Sequence, residues 1–142
     1  MNTPVAKPSE NLEVLVVDDS PSALIMISDT AKVGHWARDG AVGEAKNYAE
    51  ATRLIERYGP PKLLVTDLGL PDGCGFDLAT GVLKLNPLTH VYIITGSDTQ
   101  PPENLREHTS NPQLVSKQTD IDYSAIFKRE HNQFYPSVDL GE

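Results

Sequence analysis

The amino-acid sequence predicts a doubly wound α/β domain built on five parallel strands. Short apolar runs rich in β-branched residues alternate along the chain with longer segments whose apolar residues recur at helical spacing. The apolar runs lack polar alternation, which is typical of strands that are buried on both faces of a parallel sheet. Strands that alternate with helices in this way predict a parallel sheet that is covered by helices on both sides.

Three of the predicted strands are strongly apolar, and each ends at polar residues. They are 12–17, followed by Asp18 and Asp19; 63–66, followed by Asp67; and 91–94, followed by Thr95. Two weaker strands are predicted at 41–45 and 113–116, and the last of these is followed by Lys117. Polar residues therefore stand at the carboxyl ends of four of the five strands.

Helices are predicted between the strands from their caps and their apolar spacing. The first opens at Ser20-Pro21, a capping side chain followed by the residue favoured at the first helical position, and runs to about residue 33. Its core-facing residues are predicted to be Ala23, Met26, Ile27 and Thr30. The other helices are predicted at 48–58, 76–85, 101–108 and 122–133, and the fourth has little apolar character.

Length and composition limit the classes of protein to which the chain can belong. The 142 residues suit one domain, and we expect a flexible N-terminus over 1–11, the domain over 12–134 and a tail over 135–142. No apolar run is long enough for a membrane span, and residues 1–10 lack the apolar centre of a signal peptide. The single cysteine, Cys74, cannot form an internal disulfide, so a cytoplasmic location is expected.

The net charge of −8, without any basic stripe, argues against nucleic acid as a partner. The informative acidic residues are those at the strand ends. Right-handed crossovers place the carboxyl ends of parallel strands on one edge of the sheet, and ligands bind outside that edge. We therefore expect five side chains to converge there: Asp18, Asp19, Asp67, Thr95 and Lys117.

The chemistry of these five residues favours phosphoryl transfer. Three neighbouring carboxylates repel one another, and Mg²⁺, which prefers oxygen ligands, would relieve that repulsion. An aspartate beside such an ion can attack phosphorus and form an aspartyl-phosphate. The hydroxyl of Thr95 and the ammonium of Lys117 could then neutralise phosphoryl oxygens, which is the main requirement of this reaction.

The same residues resemble the signature of response-regulator receiver domains of two-component signalling. The resemblance extends over about residues 12–133 and includes the segment 67–78, with Pro71 and Gly75 in the family's positions. It implies a flavodoxin-like (βα)5 fold and a role for each site residue. Asp67 would accept the phosphoryl group, Asp19 would bind Mg²⁺ directly, and Asp18 would hold it through water or order the site. The carbonyl of Gly69 would complete the protein ligands, and Thr95 and Lys117 would bind phosphoryl oxygens.

The resemblance further implies a single-domain response regulator that is phosphorylated by a histidine kinase or a histidine phosphotransfer protein. It would act as a protein-interaction switch or as a phosphorelay intermediate, and not as an enzyme beyond self-phosphorylation and slow dephosphorylation. One alternative is a receiver-like binding module that is independent of phosphorylation. Another is a phosphohydrolase, which would need an additional acid/base carboxylate just after the nucleophile, and residues 67–69 offer none.

Two positions depart from the family's pattern. Gln118 follows Lys117 where receivers usually have a cis proline, and because a non-proline cis bond costs about 2.5–4 kcal/mol, this bond is either trans or strained. Leu114 stands where the family usually has tyrosine or phenylalanine. A third feature concerns partners: Leu24 and Ile25 lie beyond the predicted core stripe of the first helix, and we expect them to form an apolar docking pair.

Overall fold

The structure, a computed structural model, describes residues 12–33, 36–37, 40–96, 100–108, 112–117 and 120–136. Its main feature is a five-stranded parallel sheet, and a short antiparallel hairpin lies at one edge of it. In chain order the strands are β1 (Val14–Val17), β2 (Val42–Ala45), β3 (Leu63–Asp67), β4 (Gly69–Leu70), β5 (Gly73–Cys74), β6 (His90–Thr95) and β7 (Gln113–Ser116). The hairpin consists of β4 and β5.

The strand order of the sheet is β2-β1-β3-β6-β7, so the predicted doubly wound, flavodoxin-like fold is confirmed. The chain moves outward from β1 to β2 and then returns to the other side of β1 with β3. This change of direction is the position at which such folds bind their ligands. Val17 at the end of β1 lies opposite Thr66 of β3, so Asp18 and Asp67, the next residues of the two strands, become neighbours.

The helices are α1 (Pro21–Lys32), α2 (Tyr48–Tyr58), α3 (Gly75–Leu85), α4 (Glu103–Arg106) and α5 (Tyr123–Phe134). Alternate residues of the central strands point to opposite faces of the sheet, and this produces two buried clusters. Leu15, Leu64 and Ile93 belong to the cluster that includes residues of α2, α3 and α4. Val16, Val65 and Ile94 belong to the cluster that includes residues of α1 and α5.

The predicted bounds of the strands and helices agree with the structure to within two residues, although α4 is reduced to a single turn. Leu105 is the apolar residue of that turn, and it is fully buried. The hairpin was not predicted, because strands of two residues have no detectable periodicity. Among the described residues, none of the helices combines the length and hydropathy that crossing a bilayer requires.

The predicted core face of α1 is confirmed for Ile27, which is buried, and for Ala23, which packs against the core, but it is wrong for Met26. The residues that the helix buries are Ile27, Ser28 and Ala31, whereas Met26 is 48% exposed. A polar residue can face inward here because the hydroxyl of Ser28 donates a hydrogen bond to the carboxylate of Glu44 on β2. The helix is therefore rotated relative to the prediction, and this rotation turns Met26 outward.

The same rotation separates the two residues predicted to form a docking pair. Leu24 is half buried and packs against the cluster between the sheet and α5. Ile25 is 55% exposed, as expected. The exposed apolar neighbours on this helix are therefore Ile25 and Met26, and Leu24 belongs to the core.

Candidate functional site

Three aspartates meet at the carboxyl edge of the sheet. Asp18 and Asp19 follow β1, Asp67 ends β3, and one carboxylate oxygen of each lies within 4.8 Å of those of the other two. Asp18 and Asp67 are buried, with 5% and 6% of their surface exposed, whereas Asp19 is exposed to solvent. The structure thus brings together the three carboxylates that the sequence places at the ends of two separate strands.

The ionised form of Asp18 is disfavoured by its surroundings. Burial raises the pKa of Asp18, and the neighbouring charges of Asp67 and Asp19 raise it further. The backbone N–H of Ser20 opposes this effect by donating a hydrogen bond of 2.9 Å to the carboxylate, and the charge of Lys117 also opposes it. The folded protein therefore accommodates three ionised carboxylates only with help from nearby positive charge.

Lys117 supplies one such charge. Its ammonium lies 2.9 Å from Oδ1 of Asp67, and this interaction raises the pKa of Lys117. The backbone N–H of Lys117 donates a 2.8 Å hydrogen bond to the carbonyl of Thr95, which ties the residue after β7 to the end of β6. With all groups ionised, three carboxylates and one ammonium leave a local charge of −2, which a divalent cation would balance.

Thr95 and Gly69 lie on the same edge. Ile94 is the register partner of Asp67, so Thr95 is one residue beyond Asp67 on the adjacent strand, and it is buried. Gly69 begins the hairpin two residues after Asp67 and is exposed. The oxygen atoms available at this edge are carboxylates, a hydroxyl and backbone carbonyls, and this donor set suits Mg²⁺ better than a metal that prefers nitrogen or sulfur.

The backbone around Asp67 is held in a fixed position. Gly75 donates a 2.7 Å hydrogen bond to the carbonyl of Leu68, and Leu68 in turn donates one of 2.9 Å to Ile94. A Cβ atom on Gly75 would lie 2.5 Å from the carbonyl oxygen of Asp67, so another residue there would displace the backbone next to this aspartate. The importance of Gly75 is therefore steric.

Tyr123 contacts the core and also lies near the acidic cluster. It lies at the start of α5 and is half buried against the core. Burial raises the pKa of Tyr123, and the charges of Asp18 and Asp67 raise it further, so its phenol lies within electrostatic range of the acidic cluster. The sequence offers no local signal for this, because residue 123 is remote from both aspartates along the chain.

Of the two positions that depart from the family's pattern, the structure describes Leu114 but not Gln118. Leu114 is half buried and packs against the core cluster shared by α2, α3 and α4, so it serves as an apolar packing residue. Gln118 lies outside the described residues, and so does the geometry of the bond before it.

A second polar cluster lies at the opposite edge of the sheet, where β6 begins. Glu130 is buried, and its two carboxylate oxygens lie 2.5 Å from Nδ1 of His90 and 2.6 Å from the hydroxyl of Tyr92. Arg129 donates a 2.7 Å hydrogen bond to that hydroxyl. A cavity of about 420 Å³ adjoins the cluster. Among the described residues, no buried side-chain polar atom lacks a partner, so the buried polar atoms of this network are satisfied.

His90 and His131 are half buried and in contact with other side chains. His90 belongs to the network of Glu130, and the ring of His131 lies 4.9 Å, between centroids, from that of Trp36. Trp36 is buried and donates a hydrogen bond of 3.2 Å to the carbonyl of Phe127 on α5. These contacts stabilise the packing of α5, and none of them involves the acidic cluster.

Comparisons with known proteins agree with this fold. The family model of the response regulator receiver domain matches residues 14–122. The response regulator protein PilR of Pseudomonas aeruginosa is 36% identical over 83 residues, which are 58% of this chain and 18% of PilR. The chain therefore matches about a fifth of the length of that relative.

Solved structures with 20–24% sequence identity share the fold. A two component transcriptional regulator AraC from Clostridium phytofermentans ISDg superposes with a TM-score of 0.65 at 24% identity, over 87% of this chain and 93% of that one. A CheY-like response regulator receiver domain protein from Methanospirillum hungatei JF-1 gives a TM-score of 0.65 at 20% identity, with the same coverage. Since the family model extends over most of the chain and contains the whole acidic cluster, the chain belongs to the response regulator receiver domain family.

Proposed function

We propose that Asp67 accepts a phosphoryl group from a phospho-histidine partner, in the presence of Mg²⁺, and that phosphorylation switches the contacts of this domain with other proteins. The observation that carries the proposal is the position of Asp67. It lies at the end of β3 within 4.8 Å of two further carboxylates and 2.9 Å from the ammonium of Lys117. A histidine kinase or a histidine phosphotransfer protein is the proposed donor, and onward transfer would make the domain a phosphorelay intermediate.

The residues of the acidic cluster fit a magnesium ion. Asp19 and Asp67 would bind it directly, Asp18 through water, and Gly69 through its carbonyl. Such an ion, when bound, offsets the negative charge of the cluster and of the incoming phosphoryl group. Support for this assignment comes from the raised pKa of Asp18, which is caused first by burial and further by the neighbouring charges of Asp67 and Asp19.

The proposed transfer uses one oxygen of Asp67 as the nucleophile. As this oxygen forms a bond to phosphorus, the bond from phosphorus to the imidazole nitrogen of the donor breaks, and the imidazole leaves with the bonding electrons and takes up a proton. Lys117 would exchange its contact with Asp67 for one with a phosphoryl oxygen. The hydroxyl of Thr95 would bind another of these oxygens, and its position on the strand next to Asp67 favours this role.

The donor protein needs a surface beside the acidic cluster. On α1, which begins two residues after Asp19, Ile25 and Met26 are 55% and 48% exposed. Single exposed apolar residues are ordinary, but an adjacent pair on the helix that follows Asp19 is suited to anchor a docking helix. We therefore propose that this pair contributes to recognition of the phospho-histidine donor.

Phosphorylation with acetyl phosphate and Mg²⁺ tests the function without a partner protein. Mass spectrometry should locate one phosphoryl group on Asp67, and Asp67→Asn should take up none. Label on another residue, or undiminished label in Asp67→Asn, would contradict the proposal. A folded wild-type protein that stays unphosphorylated would instead favour a binding module that is independent of phosphorylation.

Mg²⁺ binding provides an independent measurement. Calorimetric titration should show weak binding by the wild-type protein and little or none by Asp19→Ala, because that variant lacks a direct ligand. Calorimetry is preferable to tryptophan fluorescence, since Trp36 is buried against α5 and away from the cluster. Equal affinity of the two proteins would refute the role of Asp19.

A further inference from the structure

The start of α2 is closed by two side chains from different parts of the chain. The first N–H groups of a helix have no acceptor within the helix itself. Asn47, the residue before α2, accepts a 2.8 Å hydrogen bond from the N–H of Glu50. Asp72 accepts hydrogen bonds from the first two N–H groups of the helix. The bond from Tyr48 to one carboxylate oxygen is 2.7 Å long, and the bond from Ala49 to the other is 3.1 Å long.

Asp72 belongs to the turn that connects β4 and β5, so its two hydrogen bonds attach this hairpin to α2. A steric contact supports the same attachment, because a Cβ atom on Gly73 would lie 2.6 Å from Cδ2 of Tyr48. The hydrogen bond from Tyr48 lowers the pKa of Asp72, so the carboxylate is charged at neutral pH. A negative charge at the amino end of a helix is also favoured by the helix dipole.

The hairpin is thus held at both ends. At its base, Gly75 bonds to the carbonyl of Leu68 at 2.7 Å, next to Asp67. At its tip, Asp72 bonds to α2. Gly69 lies between these two attachments, pairs with Cys74 across the hairpin, and has no atom within 4 Å of the position that a Cβ would occupy. The two attachments therefore hold the backbone of Gly69 from both sides.

We propose that Asp72 is a positioning residue for the magnesium site: by clamping the β4–β5 hairpin to α2, it keeps the carbonyl of Gly69 where the metal needs it. This inference rests on the proposed function, in which that carbonyl is a ligand. Groups that orient metal ligands without touching the metal contribute substantially to affinity in other proteins. The role differs from that of Asn47, whose side chain caps the same helix by accepting the N–H of Glu50.

That difference provides a matched control. Asp72→Ala, Asp72→Asn and Asn47→Ala are compared with the wild-type chain by calorimetric titration with Mg²⁺ at pH 7. Asp72→Ala should bind Mg²⁺ about tenfold more weakly, the lower end of the effect of such supporting groups. Asp72→Asn, which keeps one acceptor oxygen, should fall between Asp72→Ala and wild type. Asn47→Ala loses a cap of α2 and should keep the affinity of the wild-type protein.

Wild-type affinity in Asp72→Ala would overturn the inference. An equal loss in Asn47→Ala would overturn it too, because the effect would then come from the end of the helix and not from the hairpin. Should circular dichroism show that Asp72→Ala is unfolded, Asp72→Asn decides: intermediate affinity supports the clamp, and unchanged affinity refutes it. A wild-type chain that binds no Mg²⁺ would refute the proposed function itself, a result that is visible before any variant of Asp72 is measured.

Discussion

Asp18 is buried next to other carboxylates, so its replacement measures how much their repulsion destabilises the folded protein. The side chain is 5% exposed, its pKa is raised by burial and by Asp67, and its carboxylate accepts the N–H of Ser20. Asparagine removes the charge and keeps an oxygen that can accept the same hydrogen bond. We expect Asp18→Asn to be more stable than the wild-type protein at pH 7 when divalent cations are absent.

The expected size follows from the spacing of the charges. Two carboxylate oxygens at 4.8 Å, the limit within which the three aspartates lie, repel by about 1 kcal/mol in water and by about 3.5 kcal/mol at an effective dielectric constant of ~20. Asp18→Asn also loses an attraction to Lys117, which offsets part of the gain. The free energy of unfolding should therefore increase by about 1–2 kcal/mol.

The effect should depend on pH in a defined direction. Because the pKa of Asp18 in the folded protein is raised above its ordinary value of 3.8, the folded state binds this proton more tightly than the unfolded state does. The tighter binding of this proton therefore stabilises the folded protein fully below pH 3.8, and this stabilisation is lost as the pH rises through the raised pKa. The advantage of Asp18→Asn should be small near pH 4 and reach its full size at neutral pH.

Urea unfolding in EDTA at pH 4 and pH 7 measures both effects, and urea is preferable to guanidinium chloride because it does not screen charges. Asp29→Asn is the control, since it removes one exposed negative charge of α1 from a chain of net charge −8. Adding Mg²⁺ should stabilise the wild-type protein more than Asp18→Asn. If Asp18→Asn is less stable than the wild-type protein in EDTA at pH 7, or gains no more than Asp29→Asn, the electrostatic reasoning is wrong.

Two other predictions concern docking and the second polar cluster. Replacing both Ile25 and Met26 by serine should leave phosphorylation by acetyl phosphate unchanged, because both are about half exposed, and should slow transfer from the phospho-histidine donor by about 30-fold, or about 2 kcal/mol. A parallel loss of both reactions would instead place the pair in the core. Glu130→Ala should lower the free energy of unfolding by about 3 kcal/mol in urea, since His90 and Tyr92 lose a buried acceptor. A loss below about 1 kcal/mol would show that the network contributes little.

The local sequence was sufficient for the fold and for the membership of the acidic cluster. Each central strand is an apolar run that ends at a polar residue, and parallel strands bring these ends to one edge whatever the details of packing. Asp18 and Asp67 are 49 positions apart in the sequence numbering, yet the register of β1 against β3 makes them neighbours. Their proximity could be predicted because it depends only on strand order and direction.

The rotation of α1 could not be predicted in the same way. Its sequence has apolar residues on more than one face, so periodicity alone allows several orientations. The orientation seen in the structure buries the hydroxyl of Ser28, which donates a hydrogen bond to Glu44 of β2, and turns Met26 to solvent. Leu24, assigned from the sequence to the surface, packs into the core for the same reason.

Only the tertiary structure decided which polar side chains pair with groups that are far away in the chain. Asp72 caps a helix that begins 24 residues earlier, and Glu130 accepts hydrogen bonds from residues about 40 positions away. No periodicity marks such residues, because a carboxylate in a turn or on a helix has the same local sequence whether it faces water or a partner. The short apolar strands lie at the centre of the sheet because both of their faces must be buried. The carboxylates, in contrast, are paired only with groups that the completed fold brings next to them.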